Sequence, residues 1–263
     1  MTVAGRSGSE VRRSADRAVT TSRGIRSRHS FSFGAHYDPA DVGFGLLLVH
    51  NDDEVQPGSG YDQHRHRDVE IVTWVVDGRL RHRHARGADR VLGPASVQRL
   101  HAGAGVVHAE VNAGAGPLRL VQVWLPSTRP DAPPSYEARD LAGALATGPS
   151  VVAASGLARD AHGPGVRLVH PGAALHVVRP EDPVRLPRAP LLHVYVVRGH
   201  VVLDRVGLLA EGDAVRIAGV GVRRLRPAGE AEVLVWEMHS QPDRPAAGRD
   251  RRELGLPGGG TLA

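Results

Sequence analysis

QHRHRDVEIVTWVVDG, residues 63–78, decides the reading of this chain. It opens with His64 and His66, two residues apart, and runs into VEIVTWVV (69–76), which ends at Asp77-Gly78. In a strand, side chains at i and i+2 point to one face, so the two imidazoles can converge on one point. A short apolar run rich in β-branched residues and closed by Asp-Gly reads as a buried strand.

Some forty residues on, GVVHAEVN (105–112) repeats the device: His108 and Glu110 are again an i, i+2 pair. Two such pairs on neighbouring strands supply three imidazoles and one carboxylate. That set suits Fe, Ni, Cu, Co or Zn. Four protein ligands on a six-coordinate ion leave two positions open, as a catalytic site needs and a closed structural site does not. Another HxH pair, His82 and His84, lies just past Gly78 with no matching second pair. It reads as an exposed strand rich in Arg and His.

Working outward, GFGLLLVH (43–50), SVQRLHAG (96–103) and LRLVQVWL (118–125) are further strand-like runs bounded by turn residues. Short strands separated by turn signals predict a β-sandwich or barrel. A Pro-rich break, PSTRPDAPPSYEARD (126–140), precedes a second strand-rich half. There LLHVYVVRGHVVLD (191–204) reads as a strand pair, followed by GDAVRIAG (212–219) and EVLVWEM (232–238). VTWVVDG (72–78) and HVYVVRG (193–199) align without a gap, and similar segments follow each. A duplicated β-barrel is therefore expected: a flexible arm over 1–22, a metal-binding domain over 23–140, a related domain over 150–241 and a flexible tail over 242–263. The offset that aligns the two halves puts Arg185, Pro187 and Leu191 where the first has His64, His66 and Glu70. VRRLRPA (222–228) replaces the second ligand pair. The second half is thus expected to bind no metal in this way, leaving His162, His170, His176, His193, His200 and His239 to surface or packing roles.

Composition excludes several classes. There is no Cys among the 263 residues, so disulfides, thiolate ligands and a Cys nucleophile are out. All 33 basic residues are Arg, giving a net charge of +5, but they are interspersed with Asp and Glu. Direct nucleic-acid binding needs a basic stripe, which the sequence does not show. No apolar run approaches the ~20 residues of a membrane span, and the N-terminal stretch is unlike a secretory signal. A cytoplasmic protein with no membrane contact is expected.

The first half resembles a known family. Gly58, His64, His66 and Glu70 match the first cupin motif, G-x5-HxH-x3-E; His108 and Asn112 match H-x3-N of the second. The Pro-x-Gly usual before the second His is replaced by HAGAGVV. SRHSFSFGAHYDPADVGFG (27–45), QHRHRDVEIVTWVVDG and SVQRLHAGAGVVHAEVN (96–112) resemble the pirin branch of the cupins. The resemblance implies an all-β bicupin, two jelly-roll barrels in tandem. It implies metal ligation by His64, His66, His108 and Glu110, with Glu110 able to act as general base and Glu70 outside the ligand set. His29 and His36, in the N-terminal signature, are expected as a hydrogen-bonded polar plug. Fe(II) is the expected ion, and the same donors accept Ni, Co, Mn, Cu or Zn. Two departures, HARG (84–87) and His101, lie beside the expected pocket mouth. The implied activity is that of a quercetin 2,3-dioxygenase, which cleaves a flavonol with O2 and releases carbon monoxide. The same resemblance carries an alternative: a metal- or redox-responsive regulatory protein that docks on a protein partner.

Overall fold

The computed structural model describes residues 8–84, 87 and 89–241. The tail expected over 242–263 lies outside them. Among the described residues twelve strands precede and eight follow one short α-helix, Ala142–Leu145. The first twelve are β1 (Gly8–Arg12), β2 (Ala18–Ser22), β3 (Ile25–His29), β4 (Val49–Val55), β5 (Gly60–His66), β6 (Val69–Asp77), β7 (Leu80–His84), β8 (Asp89–Leu92), β9 (Ser96–His101), β10 (Val106–Asn112), β11 (Leu118–Pro126) and β12 (Ser135–Asp140). The rest are β13 (Ser150–Ser155), β14 (Val166–Arg167), β15 (Ala173–Val178), β16 (Val184–Arg185), β17 (Leu191–Leu203), β18 (Gly207–Ala210), β19 (Ala214–Ala218) and β20 (Arg224–Met238).

The first half closes as two facing sheets, ordered β12-β9-β6-β11-β4-β3-β2 and β5-β10-β7-β8. The second has the order β1-β19-β17-β20-β15-β13-β14, with β16 on β20 and β18 on β17. The halves share one plan. The β9-β6-β11-β4 order recurs as β19-β17-β20-β15, and β5 beside β10 recurs as β16 beside β20. These are two cupin barrels in tandem, as the resemblance implies. The aligned glycines, Gly78 and Gly199, both have positive φ (80° and 72°). A Cβ on either would meet backbone within 2.6 Å: the Pro117 carbonyl at one, the Glu230 carbonyl at the other. Each glycine admits a sharp change of strand direction with no side chain in the way.

The corner is not the hairpin the sequence suggests. β6 and β7 do not pair; the chain leaves one sheet at Gly78 and enters the facing one. Beyond Gly199 the second half keeps one strand, β17, that bends through irregularities at 196–198 and 199–201. Nor is 43–50 a strand. Gly45 has φ 56°, Phe44 bridges Leu47, and the strand begins only at Val49. The turn drives Leu46 and Leu47, both fully buried, into a core shared with the second half, which also holds Trp74, Tyr195, Trp236 and Met238. Full burial of each such side chain contributes about 1.5–3 kcal/mol, so the two barrels are stabilised together.

The arm expected over 1–22 is ordered from Gly8. β1 pairs antiparallel with β19, Gly8 opposite Ala218 and Arg12 opposite Ala214. Ladder hydrogen bonds need no hydrophobic period, and polar side chains fix the segment. Arg13 pairs with Asp213 at 2.7 Å, whose other oxygen accepts from the Ser14 amide. Arg17, 7% exposed, donates to the Tyr195 hydroxyl and to the carbonyls of Gly212 and Arg28.

Candidate metal centre

The β5-β10-β7 order brings three polar pairs together. His64 lies opposite His108 across β5 and β10, and His82 lies opposite Glu110 across β7 and β10. A bulge between His108 and Glu110 shifts the β5 register. His66 (2% exposed), His108 (1%) and Glu110 (3%) are buried, while His64 is half-buried. One ring nitrogen from each of His64, His66 and His108 lies within 4.8 Å of the others. The His64 Nδ1–H donates to the Asp62 carbonyl at 2.7 Å. A carbonyl can only accept, so the proton sits on Nδ1 and Nε2 keeps its lone pair for a ligand.

Glu110 belongs to a second donor group, with His82 and His108, that meets the same spacing. Its carboxylate is held by two amides. Gln98 Nε2 donates to Oε1 at 2.5 Å and Gln122 Nε2 to Oε2 at 2.8 Å. The amides are themselves oriented. Trp124 Nε1–H, which can only donate, reaches the Gln122 oxygen at 2.9 Å; the Tyr136 hydroxyl donates to the Gln98 oxygen at 3.0 Å. Each NH2 must therefore face the carboxylate. Burial by itself would raise the Glu110 carboxyl. The His82 imidazole and the fields of His108, His82 and His64 outweigh it and hold the group below the ordinary carboxylate range. Burial, with repulsion from the other imidazoles, pushes His108 down to about 2, against the pull of Glu110. A neutral His108 beside an ionised Glu110 is the pair of protonation states a cation needs.

The residues fit a metal. Both ring nitrogens of His108 are buried without a hydrogen-bond partner, an arrangement that costs free energy unless something else satisfies them. A divalent transition ion would supply it, with His64, His66 and His108 as donors and Glu110 in reach of His108. The supporting shell has a testable consequence. Gln122→Leu removes a donor from Glu110 and the acceptor of Trp124. Loss of such supporting bonds typically weakens metal binding by about 10–100-fold. Competition titration with a chromophoric chelator should show that loss, with the β-sheet circular dichroism spectrum retained.

His82 is a correction to the exposed-strand reading: it is fully buried, its Nδ1 3.4 Å from Glu110 Oε1, its ring 4.6 Å from that of Tyr136. Only its partner His84 is half-buried. The missed signal was the partner strand, since HRH pairs with HAE residue for residue. Glu70 joins neither donor group. It is fully buried and accepts from the amides of Val169 (2.7 Å) and His170 (3.1 Å), tying the first barrel to the second. His29 is the expected plug, bonded to Asn51 and Thr20; His36 bonds the Val19 carbonyl. His101 bonds Ser127. In the second half, Arg185 and Pro187 line a cavity of about 430 Å3 with Arg159 and Arg188. The register opposite Arg185 is Arg224, where the first barrel has His108. Among the described residues no donor group falls in that half.

The chain is similar to known proteins over most of its length. A family model described as Pirin matches residues 11–125. A Mycobacterium tuberculosis (strain H37Rv) protein provisionally named quercetin 2,3-dioxygenase is 45% identical over 236 residues, 88% of this chain and 96% of the relative. Quercetin 2,3-dioxygenase of Escherichia coli K12 is 34% identical over 130 residues, 49% of this chain and 56% of that one. The crystal structure of the Escherichia coli bacterial pirin YhhW in complex with nickel(II) superposes with a TM-score of 0.80 at 25% identity, covering 89% of this chain and 100% of the other. Two tandem cupin barrels, the paired donors of the first and this relative spanning nearly its whole length lead to one conclusion: the chain belongs to the pirin family.

Proposed function

We propose that this protein is a metal-dependent dioxygenase that cleaves a flavonol-type substrate with O2. One observation carries the reading: two donor groups that share His108, one of His64, His66 and His108 and one of His82, His108 and Glu110, the first reachable through the half-buried His64. Names of relatives support the substrate class. A divalent ion bound there, Fe(II) in the first instance, would act as a Lewis acid on adjacent hydroxyl and carbonyl oxygens and lower the hydroxyl pKa.

The residues supply the rest. His64, His66 and His108 hold the centre on rigid strands. Glu110, the carboxylate beside His108, is the group placed to take the proton that a flavonol hydroxyl acidified by the ion releases. Gln98 and Gln122 keep its oxygens in place while it does so. Trp124, edge-on to the His66 ring at 4.7 Å, covers that imidazole and excludes water from one side.

The test is quercetin turnover by protein loaded anaerobically with Fe(II) and then exposed to O2. Loss of flavonol absorbance should accompany carbon monoxide release. A chelator should abolish both, and Glu110→Ala should lower the rate by about 100-fold or more, the usual scale of a lost proton-transfer group. A filled centre that leaves quercetin intact overturns the reading.

A further inference from the structure

His82 is no ligand in the reading above, yet it is the most deeply buried imidazole of the cluster. Neither ring nitrogen has a hydrogen-bond partner. Its Nδ1 lies 3.4 Å from Glu110 Oε1, longer than an ordinary hydrogen bond. The rest of its surroundings are aromatic: the rings of His108 at 4.9 Å, His84 at 5.2 Å and Tyr136 at 4.6 Å. A neutral imidazole carries one donor and one acceptor, and burying both unsatisfied is disfavoured unless a ligand takes the lone pair.

The geometry points to a second, inner cation position formed by His82, His108 and Glu110, overlapping the outer position of His64, His66 and His108. Metal–donor bonds of about 2.1 Å place adjacent donors of a tetrahedral ion about 3.4 Å apart, the separation found between His82 and Glu110. Two imidazoles and one carboxylate are a donor set that takes Fe(II), Co(II), Ni(II) or Zn(II). Both positions draw on His108, so one ion occupies the cluster at a time. The outer seat opens to solvent at His64; the inner one is closed, since all three of its donors are buried. His82 is thus a metal ligand of this chain, and the ion has two seats rather than one.

The proposal rests on the metal centre but not on the dioxygenase reading, and ion counting without substrate separates the two. Co(II) is titrated into the His64→Ala/His66→Ala variant, followed by its visible absorption and by metal analysis after dialysis. One Co(II) per chain is expected, bound within about 100-fold of the wild-type affinity. Adding His82→Gln should abolish it. A folded double variant that binds no Co(II), or a triple variant that binds as well as the double, overturns the proposal. If the double variant does not fold, His82→Gln alone decides. A changed Co(II) spectrum with at least tenfold weaker binding upholds the inner seat, and an unchanged spectrum and affinity refute it.

Discussion

His108→Ala should leave a folded protein with less than a tenth of an ion per chain and no measurable flavonol turnover. His108 is common to both donor groups, so no three-donor set survives its removal. The effect on the metal-free fold should be small. Truncation opens a cavity, which costs roughly 2–4 kcal/mol for a side chain of this size. It also deletes two buried ring nitrogens without partners, whose desolvation costs about 1–3 kcal/mol each. The two contributions oppose one another. Adding metal separates the proteins: an ion at a hundred times its Kd stabilises the wild type by about 2.7 kcal/mol and the variant not at all. Differential scanning calorimetry with and without Ni(II) measures this. A variant whose melting temperature still climbs with metal would place the ion elsewhere.

Asp52→Asn has the largest expected effect on stability. Asp52 is 1% exposed on β4 at the junction of the barrels. Arg119 reaches it through two nitrogens, at 3.1 and 2.8 Å, and the Tyr195 hydroxyl at 2.5 Å. Arg119 also donates to the Val197 carbonyl, so one buried carboxylate organises groups from both halves. Neutralising it leaves a mostly buried guanidinium with only the exposed Glu211 carboxylate at 2.8 Å to balance it, and breaking a buried pair from one side costs roughly 3–5 kcal/mol. For a chain this long that corresponds to about 10 °C in Tm. Acid should erase the difference. Burial pushes the Asp52 carboxyl up, but Arg119, Tyr195 and Arg17 outweigh it and set the folded pKa below the ordinary value. A depressed pKa contributes stability that is complete above the unfolded value, about 3.9, and disappears as pH falls through the folded one. The two proteins should therefore differ at pH 7 and converge below pH 4. Equal urea midpoints at pH 7 would show that the carboxylate is dispensable.

The same strand shows where sequence reading stops. The runs at 69–76 and 118–125 became strands because their burial is mostly apolar and announces itself, and 96–103 because Val97 and Leu100 stand between turn residues. β4 reads VHNDDEV, and its His50, Asn51, Asp52 and Asp53 are all buried. A polar run counts as a loop unless the partners that satisfy it are known, and these come from residues as remote as Arg119 and Tyr195. The signal was displaced onto GFGLLLVH, whose leucines pack between barrels instead of along a strand. His64, His66 and His108 were legible because each motif pair has its own spacing and strand alternation does the rest. His82 was not, since its significance depends on which strand lies beside it. The order of residues does not state that β10 runs between β5 and β7.

β1 pairs with β19 across some 200 residues, as the Arg13–Asp213 contact records. During synthesis residues 8–12 leave the ribosome some 200 residues before the strand they pair with. Contacts this remote are slow to close, because the loop entropy is paid before they form. The first barrel can fold while the second is still being translated, whereas the sheet of the second is complete only when residues 8–12 return to it. A gene fragment for the second half alone would produce a sheet with β19 as a bare edge, inviting association with other strands. Supplying residues 8–22 as a separate peptide would restore the missing partner.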